Sequence, residues 1–451
     1  MSMKKLYIKT FGCQMNVYDS SRMADILQLK GYESTDKIEE CDIFIMNTCH
    51  IREKASEKIF SELGKIKKIK QKKIENGEYL IVIVAGCVAK ADGAEIFKRM
   101  PIVDIVVSGE SYHNIGDMVD KVLQQIKNEE KTHVIDIDFK TQEKFASLPS
   151  IRNVKSVSEN IAVQAGCDKF CSYCVVPYTR GREYSRGVEE IIEEAKILVD
   201  AGVKEINLLG QNVDNYNGKD KNGRTTTLAE LIYKVNDING IERIRYTTSY
   251  PSQFGDDLIF AHKDLKKLMP FIHLPAQAGS NKTLKAMNRK YTREQYLELV
   301  EKIRKHVPDV AISSDFIVGF AGETEEDFLE TLSLVEQVKY ASSFSFKYSP
   351  RPNTVGIKMP NQIDENIKAE RLDRLQAVLD QQQIDFNRNC IGKTMEVLIE
   401  NPAENNEKLF FGRTPYLQAV IIKSNRTLNN GDILNVKITD ANLRTLEGEA
   451  N

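Results

Sequence analysis

From Asn160 to about Thr354 the sequence alternates six times between short apolar, β-rich runs and helix-like stretches. The runs are NIAVQAG, EINLLGQ, IRYTTS, FIHLPAQ, AISSDFIVGF and SSFSFKYS; a helical pattern follows each except the last, which leads into SPRPNT. Repeated strand–helix–strand units with right-handed crossovers build a parallel barrel or open barrel, with the ligand site at the carboxyl ends of the strands. Six units are fewer than the eight of a closed barrel. The distinctive segments fall where that geometry puts a ligand. Gly210 and Gln211 end the second run, Ser249 and Tyr250 follow the third, Gln277 and Gly279 end the fourth, and Gly319 and Gly322 follow Asp315 of the fifth. Taken singly, glycines at strand ends also serve turns, and a polar loop residue also serves a local hydrogen bond.

The first run opens onto GCDKFCSYC, which spaces Cys167, Cys171 and Cys174 as C-x3-C-x2-C. Three thiolates on one loop can hold three irons of a cubic 4Fe-4S cluster, whereas a fully ligated electron carrier takes four Cys ligands. No fourth Cys lies nearby, so one iron is left open, as a catalytic metal site keeps a position free for a reactant. Such an iron can chelate the amino and carboxylate groups of S-adenosylmethionine and pass an electron to its sulfonium. Val175 and Val176 supply apolar cover. A zinc ribbon is the competing reading, but it shows paired C-x2-C hooks and a fourth ligand.

A second trio lies upstream. Cys13 closes LYIKTFGC, Cys49 closes DIFIMNTC and Cys87 closes YLIVIVAGC. Each ends a β-rich run that a helix-like pattern follows, and parallel α/β sheets gather ligands at that edge. The three are expected to meet on one sheet edge and to hold a second cluster with an open iron. Unrelated buried thiols are the alternative, which three repeats of one placement oppose. Cys41, at the start of its strand, and Cys390 read as ordinary thiols.

Three domains follow. Residues 4–120 read as a doubly wound α/β domain, with helices over Ser20 to Lys30, about Arg52 to Lys73 and near Gly93 to Met100. Its continuous Val/Ile runs suit a parallel sheet buried on both faces. Asn128 to Ser158 is polar and reads as a linker. Residues 153–385 hold the strand–helix repeat. After a helix near Asp364 to Asn389, residues 388–450 carry the runs TMEVLIE, YLQAVIIK and DILNVKIT between Asn/Gly turns, the pattern of a small antiparallel β-barrel.

The whole chain has 451 residues, 41% of them hydrophobic and 28% charged, an ordinary globular composition with room for two or three domains. No signal peptide or bilayer-length apolar run is visible. Eight cysteines without export signals point to a reducing, cytoplasmic setting and to metal, not disulfides. A net charge of −2 excludes a global basic field for nucleic acid, though local candidates exist. GKIKKIKQKK carries six lysines between Lys65 and Lys73, a solvated face or a phosphate-steering one. Arg180, Arg182 and Arg186 follow the Cys loop closely enough to touch RNA, or else form a charge cluster at a helix start. Phe410, Phe411 and Tyr416 flank Arg413, a grouping compatible with base stacking.

These segments together resemble the methylthiotransferase family of the radical S-adenosylmethionine superfamily. The resemblance is carried by FGCQMN, MNTCHIREKA, AGCVAK, GCDKFCSYCVVPYTRGREYSR, LLGQNV, HLPAQAGS, SSDFIVGFAGET and FGRTPY, which span nearly the whole chain. Ala321 and Ala278 stand where the family usually has Pro and Ser. The resemblance implies a partial (β/α)6 barrel and a C-terminal TRAM domain that binds RNA. It implies two 4Fe-4S clusters, on Cys13/Cys49/Cys87 and on Cys167/Cys171/Cys174, the latter binding S-adenosylmethionine. Gly210, Gln211, Ser249, Gln277, Asp315 and Gly319 would line the S-adenosylmethionine pocket, with no catalytic side chain beyond the cluster ligands. The implied reaction converts N6-(dimethylallyl)adenosine beside the tRNA anticodon to its 2-methylthio derivative. The implied partners are that tRNA and a flavodoxin- or ferredoxin-type electron donor, with the enzyme a monomer and no membrane involved. PYTRGREYSR favours this branch over methylthiolation of threonylcarbamoyladenosine or of a ribosomal-protein aspartate. A non-enzymatic two-cluster electron carrier would need a fourth ligand at each cluster, which the sequence does not offer.

Overall fold

A computed structural model of the chain describes residues 3–49, 53–403 and 406–450; the helix start expected near Arg52 lies outside them. The chain forms two compact units. One takes Met1–Asn153, Gln164–Lys169 and Val175–Arg186; the other takes Val154–Val163, Phe170–Cys174 and Gly187–Asn451.

The first unit is built on a parallel sheet of β1 (Lys4–Phe11), β2 (Tyr32–Ser34), β3 (Ile43–Thr48), β4 (Ile81–Gly86), β5 (Ile105–Val107) and β6 (Val134–Asp136). The spatial order is β2-β1-β3-β4-β5-β6. Helices α1 (Gln14–Leu29), α2 (Glu53–Glu75), α3 (Cys87–Asp92), α4 (Glu95–Arg99), α5 (Ile115–Lys127) and α6 (Thr141–Ala146) complete it. Every residue of β3 and β4 is buried, and the strand alternation divides them between two cores. Ile43, Ile45, Ile81 and Ile83 pack with Met23, Leu27 and Val119 of α1 and α5; Phe44, Met46, Val82 and Val84 pack with Ile59, Leu63 and Ile66 of α2. Each such side chain contributes about 1.5–3 kcal/mol over its exposed state, which is why these strands need no polar face.

Two expectations change. Helix α1 starts at Gln14 and not at Ser20, because Cys13 serves as its N-cap residue: the amides of Asn16 and Val17 donate to the Cys13 carbonyl at 2.9 and 3.3 Å. The stretch read as a polar linker contains β6 and α6, anchored by the buried Phe145. A three-residue edge strand and a six-residue helix are too short to show a period.

The chain enters the second unit through β7 (Ser158–Ala162). It contributes β8 (Gln164–Ala165), α7 (Val176–Thr179) and β9 (Tyr184–Ser185) to the first, with β8 and β9 antiparallel. In the second unit β10 (Glu205–Leu209), β11 (Arg243–Thr247), β12 (Phe271–His273), β13 (Ala311–Val318) and β14 (Ser342–Lys347) continue the repeat. They form two parallel sheets, β11-β10-β7 and β12-β13-β14. The Ser249 amide donating to the His273 carbonyl at 3.4 Å joins them past β11. The arc therefore runs β7, β10, β11, β12, β13, β14, and the described residues form no β7–β14 ladder. Helices α8 (Val188–Asp200), α9 (Leu228–Asn236), α10 (Asp256–Asp264), α11 (Asn281–Ala286), α12 (Arg293–His306) and α13 (Glu325–Val338) intervene between the strands. Thr227, Thr292 and Thr324 open α9, α12 and α13 with reciprocal capping boxes, each satisfying amides the first turn leaves unpaired.

After α14 (Glu365–Arg388), strands β15 (Thr394–Ala403), β16 (Asn406–Arg413), β17 (Ala419–Ser424), β18 (Ile433–Ala441) and β19 (Thr445–Ala450) close a barrel in the order β15-β16-β17-β19-β18. Its ladders are antiparallel except for the parallel β17–β19 pair. Buried arginines on β11 fasten it to the repeat. Arg243 donates to the Arg413 carbonyl (2.7 Å), and Arg245 to the carbonyls of Thr414 (3.0 Å) and Pro415 (2.8 Å).

Candidate functional site

Register brings the upstream cysteines together. Phe11, Thr48 and Gly86 lie side by side on β1, β3 and β4, so the residues just beyond them share one sheet edge. Cys13 caps α1, Cys49 follows β3 with its amide donating to the Phe11 carbonyl (3.2 Å), and Cys87 opens α3. Close approach demands glycine beside two of them. Gly12 (φ +125°) and Gly86 (φ +89°) adopt left-handed conformations, and a Cβ on either would collide with Cys49 or with Asn47 and Thr48. The Cys49 thiol hydrogen-bonds the side chains of both Cys13 and Cys87. That contact, foremost, lowers the pKa of Cys13 to about 6 and of Cys87 to about 7, and raises that of Cys49 well above its usual value. Cys49 and Cys87 are buried while Cys13 is exposed, so the sulfur trio has an accessible side. Among the described residues no three His, Cys, Asp or Glu side chains are spaced to share one metal ion. Ligands of a multi-iron cluster each take a different iron, so this does not count against a cluster. A thiol in contact with two others, both of those readily ionised, fits one. By contrast Cys41 is inert: burial pushes its thiol up to about 12.

The downstream cysteines follow β8. Cys167 is half-buried, and its amide donates to the Gly181 carbonyl (3.2 Å). In the second unit the Cys174 amide donates to the Cys171 carbonyl (2.9 Å), and the Ser172 amide to the Met287 carbonyl (3.0 Å). Arg289 is the residue sequence reasoning missed. Buried among Tyr250 and Tyr291, it points Nη1 at the Cys171 sulfur (3.7 Å), donates Nη2 to the Pro275 carbonyl (2.9 Å) and stacks over the Tyr250 ring at 4.2 Å. Its segment MNRKY matches no spacing rule, so only the fold reveals it.

The pocket candidates gather on neighbouring strands of the same unit. The Gly210 amide donates to the Thr247 carbonyl (3.1 Å), and Gln211 follows it at the end of β10. Ser249, beyond β11, has a buried hydroxyl with no hydrogen-bond partner among the described residues. Gln277 (φ +70°) is buried and pairs its backbone with β13: its amide donates to the Asp315 carbonyl and its carbonyl accepts from Ile317, both at 2.9 Å. Asp315 lies mid-strand rather than at the strand end, with its carboxylate 3.4 Å from His273 Nε2. The Gly319 amide donates to Glu323 Oε1 (2.8 Å). A cavity of about 500 Å³ lined by Lys204, Lys267, Glu396 and Asp432 lies away from these, at the start of the barrel strands, the face that serves stability in such folds.

The expected RNA-facing arginines are corrected at two of three positions. Arg180 and Arg186 are 2% and 3% exposed. Arg180 is paired with Asp19, and Arg186 lies over the Phe145 ring. Arg182 alone is exposed, against Asp168 (3.3 Å). In the lysine run, Lys70 is drawn into an ion pair with buried Asp104 (2.6 Å) and Lys73 is buried near Glu78 (3.5 Å). Phe410 is core; Phe411 is exposed.

Comparison with known proteins now bears on this geometry. Residues 5–108 match the family described as Uncharacterized protein family UPF0004, 161–335 the Radical SAM superfamily, and 388–450 the TRAM domain. A tRNA-2-methylthio-N(6)-dimethylallyladenosine synthase of Rickettsia bellii (strain RML369-C) is 53% identical over 447 residues, 99% of each chain. The chain belongs to this synthase family. One of the same description from Agrobacterium fabrum is 50% identical over 450 residues, covering 99% of this chain and 97% of that one. Among solved structures, the radical S-adenosylmethionine methyltransferase TsrM of Kitasatospora setae superposes with a TM-score of 0.55 at 12% identity, covering 79% of this chain and 76% of that one. The cobalamin-dependent radical enzyme OxsB gives 0.51 at 13%, covering 84% and 56%. Both likenesses concern the fold. As a family member the chain is an enzyme, a tRNA methylthiotransferase of the radical type, dependent on 4Fe-4S clusters and S-adenosylmethionine.

Proposed function

We propose that this enzyme keeps its two clusters on separate cysteine trios, Cys167/Cys171/Cys174 and Cys13/Cys49/Cys87. The reaction inserts sulfur at an adenine C–H of N6-(dimethylallyl)adenosine beside the tRNA anticodon and methylates that sulfur. When bound, the first cluster with S-adenosylmethionine supplies the one-electron chemistry needed at a C–H too weakly acidic for any side-chain base, and the second supplies or carries the sulfur. The protein's own residues bind, orient and exclude water. Arg289 fixes the Cys171 turn, and Val175, next in sequence to Cys174, is buried. Gly210, Gln211, Ser249, Gln277, Asp315 and Gly319 form the S-adenosylmethionine pocket, with the unpartnered Ser249 hydroxyl as its polar contact. Residues 4–120, 153–385 and 388–450 act as the sulfur, radical and RNA-binding domains. The enzyme works as a cytoplasmic monomer fed by a flavodoxin- or ferredoxin-type donor. No described helix is long and apolar enough to cross a membrane.

The single observation that carries this reading is the contact of the Cys49 side chain with those of both Cys13 and Cys87, in a chain that also carries the C-x3-C-x2-C loop. Nucleoside mass spectrometry of tRNA from cells lacking the protein tests it. Loss of the 2-methylthio derivative with accumulation of N6-(dimethylallyl)adenosine is expected; loss of a threonylcarbamoyl derivative instead would move the substrate to the other branch. Cys174→Ala should abolish 5′-deoxyadenosine formation, and persistent cleavage of S-adenosylmethionine would remove the radical cluster from the loop.

A further inference from the structure

Arg180 follows Cys174 by six residues, yet its side chain is committed to the sulfur trio of the first unit. It is among the largest fully buried side chains of the protein. Its Nη2 lies 2.7 Å from Asp19 Oδ2 and donates to Asn16 Oδ1 (3.0 Å), and its Nη1 lies 3.3 Å from Glu110 Oε1. The same guanidinium hydrogen-bonds the Cys87 side chain. Packing is tight enough that a Cβ on Gly109 would meet the guanidinium carbon at 3.1 Å. Glu110 is shared with buried Lys144 (2.8 Å), so it would stay paired without Arg180; Asp19 would not. A planar guanidinium with five donors can serve two carboxylates, an amide oxygen and a sulfur at once, which a lysine ammonium with three cannot.

We propose that Arg180 is the fixed cation of the Cys13/Cys49/Cys87 centre, a positioning residue that orients the Cys87 sulfur and would offset the negative charge of three thiolates holding a cluster. The inference rests on the reading that these cysteines hold a cluster. Net charge and hydrogen bonds to sulfur set the reduction potential of such clusters. Removing the cation therefore disfavours the reduced, more negative state.

The test uses full-length protein with Cys167, Cys171 and Cys174 replaced by Ala and reconstituted with iron and sulfide, so that bound iron belongs to this centre. Arg180→Met should leave about tenfold less reduced cluster at a given potential, a shift of about 59 mV downward for one electron, with lower iron retention. Arg180→Lys should recover more than half of that shift. If Arg180→Met fails to fold because Asp19 is left buried without a counter-charge, the Arg180→Met/Asp19→Asn protein removes that charge and must titrate below Asp19→Asn protein, from which it differs only by the cation. A folded Arg180→Met protein with the parent's potential and iron content, or a double variant with those of Asp19→Asn protein, overturns the proposal. A parent that binds no iron refutes instead the cluster reading beneath it.

Discussion

Replacing Arg245 by Leu is expected to cost about 3–5 kcal/mol of stability, the range for stranding one partner of a buried ion pair. Arg245 and Glu205 lie 2.8 Å apart with side chains only 5% and 3% exposed. Once the guanidinium is gone, Glu205 keeps the Ser158 hydroxyl at 2.8 Å, too weak a partner for a dry carboxylate. The carbonyls of Thr414 and Pro415 lose their donor too, but both sit at the C-terminal barrel's boundary, where loosening admits water. Arg245→Leu/Glu205→Leu removes the stranded charge, so the double variant should regain at least about 2 kcal/mol, as hydrophobic replacements of buried ion pairs do. Urea unfolding of the apo-protein followed by circular dichroism measures both steps as a double-mutant cycle, and limited proteolysis near residue 390 reports detachment of the small barrel. A single-variant loss below about 1 kcal/mol, or a double variant no more stable than the single, would refute the argument that the carboxylate stranded on Glu205 sets the cost of losing Arg245.

Two other outcomes follow from the same geometry. Burial depresses the pKa of His262 to about 3, and its Nε2 hydrogen-bonds the Tyr246 hydroxyl at 2.7 Å. The folded state thus refuses a proton that the unfolded chain takes up below about 6.5, so stability is lost as pH falls through that window. At pH 5 the loss is about 2 kcal/mol, and His262→Gln should flatten this part of the stability–pH curve; an unchanged slope would contradict it. Deleting the chain from Gly392 onward should weaken tRNA binding while sparing tRNA-independent cleavage of S-adenosylmethionine, since Arg243 and Arg245 are then solvated rather than buried unpaired. Unchanged affinity in a filter-binding or anisotropy series would shift RNA recognition to Arg182 and the exposed lysines of α2.

The features legible in the sequence are those written in local pattern. Cys13, Cys49 and Cys87 each end a short apolar, β-rich run that a helix-like pattern follows, so their meeting at one edge follows from topology. The first five barrel strands show the same alternation of run and helix. What escaped was encoded across distance. Strands β2 and β6, three residues each, exist only because β1 and β5 pair with them. Arg180 and Arg186 look like surface charge in PYTRGREYSR, and only the placement of Asp19, Glu110 and Phe145 turns them inward. Arg289 carries no motif, and its role depends on the Cys171 turn lying against α11's end. The small barrel's alternating runs revealed its class, but not that β17 and β19 close it in parallel, because pairing direction is set by connection path and not by periodicity.

The division of labour between the two cysteine trios is the central claim, and one preparation tests it directly. Protein carrying Cys13→Ala, Cys49→Ala and Cys87→Ala is reconstituted, supplied with reductant, S-adenosylmethionine and prenylated tRNA, and assayed for both products by mass spectrometry. The account predicts retained formation of 5′-deoxyadenosine, roughly half the parent's iron, as expected when one of two equal clusters is lost, and no 2-methylthio nucleoside. Methylthiolated nucleoside from this variant would contradict it, because the strand-end sulfurs would then not be the sulfur site.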